Sequence, residues 1–118
     1  MAEAGPNTDI RLALSTAPDL ETAERLIRTL VDERIIACGS IVPGLVSIYH
    51  WQGQVRRDAE VLIILKTAEI NVARLTQRVP ELHPYEVPEL LLLPVVDGHP
   101  AYLDWVRSTA NARRAESP

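Results

Sequence analysis

Four side chains in this sequence could hold a transition metal: Cys38, His50, His83 and His99. Copper favours thiolate, thioether and imidazole, and zinc takes three or four such ligands. None of the four falls in a CxxC, HxH or HExxH spacing, so a metal site has to be assembled in space, within one chain or across subunits. Cys38 also reads as a small buried residue at the start of a strand, and His50 as a polar residue on a long hairpin. His83 stands in the segment His83-Pro84-Tyr85-Glu86-Val87-Pro88. Pro84 restricts it to an extended backbone. An imidazole there serves as ligand, as proton carrier, or as the hydrogen-bonded anchor of a loop. With Glu86 or Tyr85 it also makes the minimum of a general acid–base pair. The sequence supplies no activated nucleophile beside it, no closed metal triad and no Gly-rich phosphate loop. Glu60 and Lys66 interrupt a largely apolar strand, and a polar group facing inward there needs a partner.

The elements that must position these residues are legible from periodicity. Ile10, Leu12 and Leu14 alternate with Arg11, Ala13 and Ser15, the period of a strand. Thr16-Ala17-Pro18-Asp19 ends it, and Asp19 can accept from the free N–H groups of a following helix. Ala23, Leu26, Ile27, Leu30 and Val31 share one face of that helix, which fades near Arg34. Ile35-Ile36-Ala37-Cys38 leads into a second strand, where Pro43-Gly44 predicts a bend or bulge. Gln52-Gly53 predicts a hairpin turn with glycine at positive φ. The return strand covers about residues 54–66, and 61–65 is apolar at every position, which predicts cover on both faces. Thr67 is placed to cap a second helix over about 68–79 that Pro80 stops. Residues 89–95 form a last strand. Pro100 suits the first turn of a short third helix with Tyr102, Leu103 and Val106 inward.

The order β-α-β-β-α-β plus a terminal helix predicts an α+β, ferredoxin-like domain, an antiparallel sheet with helices on one face and right-handed crossovers. Residues 10–112 are expected to form it, with 1–9 a flexible leader and 113–118 a flexible tail.

Composition narrows the function classes. The 118 residues suit one domain, and 47% hydrophobic with 24% charged residues argues against disorder. The net charge is −4, and Arg56-Arg57 and Arg113-Arg114 are isolated pairs, so a nucleic-acid partner is not expected. A single cysteine fits a reducing compartment. With no signal-peptide pattern and no apolar run near ~20 residues, the expectation is a cytoplasmic protein without a membrane partner. The middle hairpin, however, is longer than the ~5–6-residue strands common in small sheets. Its outer half carries Leu45, Val46, Ile48, Tyr49 and Trp51 beyond the reach of two helices. Unburied apolar area on this scale predicts a partner, and the simplest is a second copy, joined by sheet edges and faces.

In its ordered set of short motifs the chain resembles the CutA divalent-cation tolerance proteins. The matching pieces are Thr16-Ala17-Pro18-Asp19, Ala37-Cys38, Pro43-Gly44, Ser47-Ile48-Tyr49, Trp51-Gln52-Gly53, Glu60 and Leu65-Lys66-Thr67. They continue through His83-Pro84-Tyr85-Glu86-Val87-Pro88-Glu89, Leu93-Pro94-Val95, Tyr102-Leu103 and Trp105. The resemblance implies a ferredoxin-like protomer in a tight homotrimer, with Val46, Ile48, Tyr49 and Trp51 in the interface. It implies a non-enzymatic role in metal tolerance and association with copper or another divalent metal, for which His83 and Cys38 are the candidate ligands. No metal is expected to be needed for folding. The trimer is also similar to that of the PII signalling proteins, which take small molecules in clefts between subunits. Here such a cleft would draw on His83, Tyr85, Glu86, Lys66 and Glu60. Some family members carry cysteine where this chain has Ser15 and a second histidine where it has Leu82, so two candidate ligands are missing. The common Cys-Val-Asn run reads Cys38-Gly39-Ser40, and Trp-Glu-Gly reads Trp51-Gln52-Gly53.

Overall fold

The computed structural model describes residues 7–112; residues 1–6 of the expected leader and the expected tail 113–118, with Arg113-Arg114, lie outside the described residues. The elements run β1 (Ile10–Ala17), α1 (Leu20–Asp32), β2 (Cys38–Trp51), β3 (Gln54–Ala68), α2 (Val72–Leu82), β4 (Leu91–Pro94) and α3 (Pro100–Thr109). The strands form one antiparallel sheet in the order β2-β3-β1-β4, the ferredoxin-like arrangement. None of the described helices is long and apolar enough to cross a membrane.

Local chemistry sets most boundaries. The Asp19 carboxylate accepts from the Thr22 N–H at 2.8 Å and starts α1, as its position predicts. Ala23, Leu26 and Leu30 then fall on the buried face. In the hairpin, Gln52 and Gly53 take φ of 52° and 79°, the doubly left-handed turn that matches strand twist. Pairing of β2 with β3 shifts register between Val42 and Leu45, and Gly44 sits there at φ 84°, so the expected bulge is present.

The core lies between the sheet and two helices. Ala13, Ala17, Val61, Ile63 and Leu65 point to one face and meet Leu26 and Leu30 of α1 and Leu75 and Val79 of α2. The α1 helix passes close over β2 at Gly39, where an added Cβ would lie 2.9 Å from the Ile27 side chain. Ile10 and Ala68 are cross-strand partners of opposite parity to Ala13 and Leu65, so they face the other side. There they pack with Val106 of α3, with Ala110 that caps it and with Ala37. Thus α1 and α2 share one face as expected, and α3 closes only one end of the opposite face. Along the rest of that face Leu12, Leu14, Leu62 and Ile64 are half-buried, and Val42, Leu91 and Leu93 are exposed.

Four expectations need correction. Pro80 does not stop α2, which continues to Leu82; the proline forfeits a single ladder donor, and Leu82 packs against the core and holds the last turn. Thr67 does not cap a helix. It is the penultimate residue of β3, fully buried, with its hydroxyl donating to the Ile35 carbonyl at 2.6 Å. A 3₁₀ turn, Glu69–Asn71, without a side-chain cap, precedes α2. The last strand is only Leu91–Pro94. Tyr102 is not an inward residue of α3 but is exposed beside Trp105, their rings 5.6 Å apart.

Candidate functional site

The site is built where residues 83–90 cross the end of β1 as a strap. His83 takes the extended backbone that Pro84 imposes, with φ −86° and ψ 140°. The Tyr85 N–H donates to its Nδ1 at 3.1 Å. That nitrogen therefore carries the lone pair, and Nε2 carries the proton and donates to the Thr16 carbonyl at 2.6 Å. Tyr85 stacks at a tilt against the His83 ring, centroids 4.7 Å apart, and its hydroxyl donates to Glu60 Oε2 at 2.7 Å. The fully buried Ser15 hydroxyl donates to the Glu89 carbonyl at 2.7 Å. Three bonds of different chemistry thus pin the strap to β1 and β3.

A second tyrosine–carboxylate pair lies beside the first. Asp58 and Glu60 are two apart on β3 and so share a face. Tyr49 of β2 pairs in register with Arg56, which makes it diagonal to Asp58, and its hydroxyl donates to the Asp58 carboxylate. Burial, then the bond to Glu60 and its charge, hold the Tyr85 proton well above the ordinary phenol range. The bond to Asp58 raises Tyr49 in the same direction. Phenols held protonated in this way are poor bases and steady hydrogen-bond donors. Between the two pairs and the strap is an open cleft of about 700 Å³, whose walls include Thr16, Trp51, Arg56, Glu86 and Val87.

The structure gathers some of the expected residues here and scatters others. Glu60, Tyr85 and Glu86 line the cleft together with Ile48, Tyr49 and Trp51. His83 stands behind it, 7% exposed, with both ring nitrogens engaged. Lys66 is on the same face of β3 but six residues along, roughly 20 Å at ~3.3 Å per residue. Its ammonium donates to the Ser40 hydroxyl at 3.2 Å. Cys38 opens β2 opposite Lys66 and is half-buried, its Sγ 3.7 Å from the Tyr102 hydroxyl. Val46 points to the other side of the hairpin and is exposed. His50 is exposed near the hairpin tip. His99 has a local task, its Nδ1 accepting from the Ala101 N–H to cap α3.

A single chain does not assemble the candidate metal ligands. Cys38 sits in the row of Leu12 and Lys66, whereas His83 is bonded to Thr16, four residues further along β1. Among the described residues no group of three or more His, Cys, Asp or Glu side chains is placed to hold a metal ion. A smaller polar groove of about 400 Å³ between α1 and α2 is an ion-pair surface, with Arg78 bonded to both Glu33 and Glu81. Asp58, Thr16 and Ser15 are site residues that periodicity does not single out. The only pointer to Asp58 is its spacing of two from Glu60.

Comparison with known proteins gives one consistent match. Residues 11–109 match the family model for the CutA1 divalent ion tolerance protein. The divalent-cation tolerance protein CutA of Thermus thermophilus is 48% identical over 96 residues, covering 81% of this chain and 93% of that one. Protein CutA of Homo sapiens is 39% identical over 103 residues, which cover 87% of this chain but 58% of the human protein. Among solved structures, CutA from Xylella fastidiosa has a TM-score of 0.86 at 39% identity, covering 88% of this chain and 100% of that one. CutA1 from Oryza sativa has a TM-score of 0.85 at 37% identity, with 94% and 98% covered.

Proposed function

This chain belongs to the CutA1 divalent ion tolerance family, and from that premise we propose that it works as a homotrimer that associates with copper or another divalent cation and performs no catalysis. The observation that carries the assembly is bare apolar surface on a well-packed chain. Ile48, Val55 and Leu91 are 69%, 66% and 56% exposed, and Val42 and Val46 of the hairpin are exposed as well. Fully burying one such side chain is worth about 1.5–3 kcal/mol, and this surface combines the outer hairpin with a largely uncovered sheet face. The sheet also has two open edges, β2 and β4. Head-to-tail contact between unlike surfaces closes into a ring when the rotation allows it, and three copies is one such closure.

In this reading cation uptake falls at subunit boundaries, because the described residues of one chain gather no ligand set. Cys38 is half-buried near the end of the open face, with only a weak contact to Tyr102. A metal at His83 has to displace the Tyr85 N–H from Nδ1. A reducing, cytoplasmic location suits the lone thiol. Sedimentation velocity with a parallel copper titration of the wild type, Cys38→Ser and His83→Asn tests the proposal. A trimer whose copper uptake falls in the variants supports it. A monomer, or uptake unchanged in both variants, contradicts it.

The cleft favours a second reading, a small-molecule sensor of PII-like build. Its support is a concavity whose walls are held by two tyrosine–carboxylate pairs rather than by packing alone. A thermal-shift screen of metabolites against the assembled protein tests it, and the absence of any stabilising compound counts against it.

A further inference from the structure

Glu60 is the least explained charge in the molecule. It is 9% exposed, yet only Oε2 has a bond, from the neutral Tyr85 hydroxyl. None of the salt bridges among the described residues includes it. No fully buried side-chain oxygen among them lacks a partner, so the unbonded Oε1 keeps some access to solvent, and Glu60 is one of the residues that line the cleft. A carboxylate withdrawn from water this far is costly unless a cation reaches it.

The surrounding walls define which cation. Asp58, Glu60, Glu86 and Glu89 line the cleft against a single guanidinium, that of Arg56. The Tyr49 and Tyr85 hydroxyl protons are already committed to carboxylates, so both phenols offer the cleft only lone pairs. The lining is therefore rich in acceptors and poor in donors, which repels carboxylates and phosphates. Three aromatic side chains, Tyr49, Trp51 and Tyr85, share the same walls, and ring faces attract ammonium and guanidinium groups. A bare metal ion is poorly served, because Asp58 and Glu60 are each tied to a tyrosine and the described residues form no three-ligand group.

We propose that this cleft binds an organic cation, an ammonium or guanidinium group on an apolar body, with the free oxygen of Glu60 as its anchor. The proposal rests on the small-molecule reading of the cleft and is independent of the metal reading. The charged group reaches Glu60 past Tyr49 and Tyr85, and the body lies against Trp51 and Val87.

Calorimetric titration of the full-length protein tests it, with 2-phenylethylammonium as probe and 3-phenylpropionate and 2-phenylethanol as probes of matched body. Light scattering on the same samples reads the assembly separately. The expected result is saturable binding of the ammonium compound alone, weakened about tenfold or more in Glu60→Gln at unchanged mass. Tyr85→Phe, which leaves the carboxylate in place, is expected to retain binding. Equal binding of all three probes, or of the carboxylate alone, overturns the cation assignment while leaving a small-molecule cleft standing. No binding of any probe by the folded wild type overturns both. Binding unaffected by Glu60→Gln overturns the anchor.

Discussion

Replacing Tyr85 by phenylalanine isolates the bond on which both the strap and the cleft depend. The substitution keeps the ring against His83 and deletes only the hydroxyl that donates to Glu60 at 2.7 Å. A hydrogen bond to a charged group contributes about 1.5–3 kcal/mol, and removing the donor leaves a carboxylate at 9% exposure with no protein partner. Some of that loss is recovered because water entering the cleft can solvate Oε2. The expected net cost is about 2 kcal/mol. The assay is urea unfolding at fixed protein concentration, run as a cycle with Glu60→Gln and the double variant. The two single costs should exceed the double cost by about 1 kcal/mol or more, with unchanged slopes. The sign of the pH dependence follows from the Tyr85 proton. Burial and Glu60 raise its folded value above the ordinary 10.0, so this contribution is complete below about pH 10 and is lost as pH rises beyond it. Wild type should therefore lose stability in alkali more steeply than Tyr85→Phe. A cost below about 0.5 kcal/mol with no coupling to Glu60 would refute the reasoning.

Other outcomes follow from the same structure. Gly39→Ala drives a Cβ to 2.9 Å from the β-branched Ile27, so thermal or urea melts should show a loss of about 1–3 kcal/mol. Leu65→Ala, at a fully buried position between the sheet and the helices, should cost about 2–5 kcal/mol in the same assay. Ile48→Asp places a charge on the exposed hairpin and should lower the solution mass while circular dichroism stays native-like. The Asp9 carboxyl is held below its ordinary value chiefly by its bond from Arg107, so that contribution is present above about pH 4 and lost as pH falls. Acid unfolding of Arg107→Gln should therefore be shallower than that of wild type.

The parts of the fold that were legible in the sequence are those governed by neighbours in the chain. The alternation of Ile10, Leu12 and Leu14, the Asp19 cap, the Pro43-Gly44 bulge and the Gln52-Gly53 turn each follow from a few adjacent residues. The misreadings share a different origin. Pro80 reads as a stop because its ring opposes helix, yet Leu82 gains core contact by extending the turn. Thr67 reads as a cap because it precedes a helical pattern, yet its hydroxyl serves a carbonyl 32 residues away. The site divides in the same way. His83 and Tyr85 stand out through the proline-bounded segment, but their partners Thr16 and Glu60 become visible only once the strands align. Lys66 and Glu60 share a strand and a face, and only strand rise separates them.

The central claim is that sister chains cover the exposed apolar residues the cleft does not use, Val46, Ile48 and Val55 on the hairpin and Leu91 and Leu93 on the open sheet face. The direct measurement is the mass of the wild-type protein by light scattering in dilute, metal-free buffer, with folding monitored on the same sample. Three times the chain mass of 13.1 kDa is the predicted result. A stably folded species of single-chain mass would contradict it.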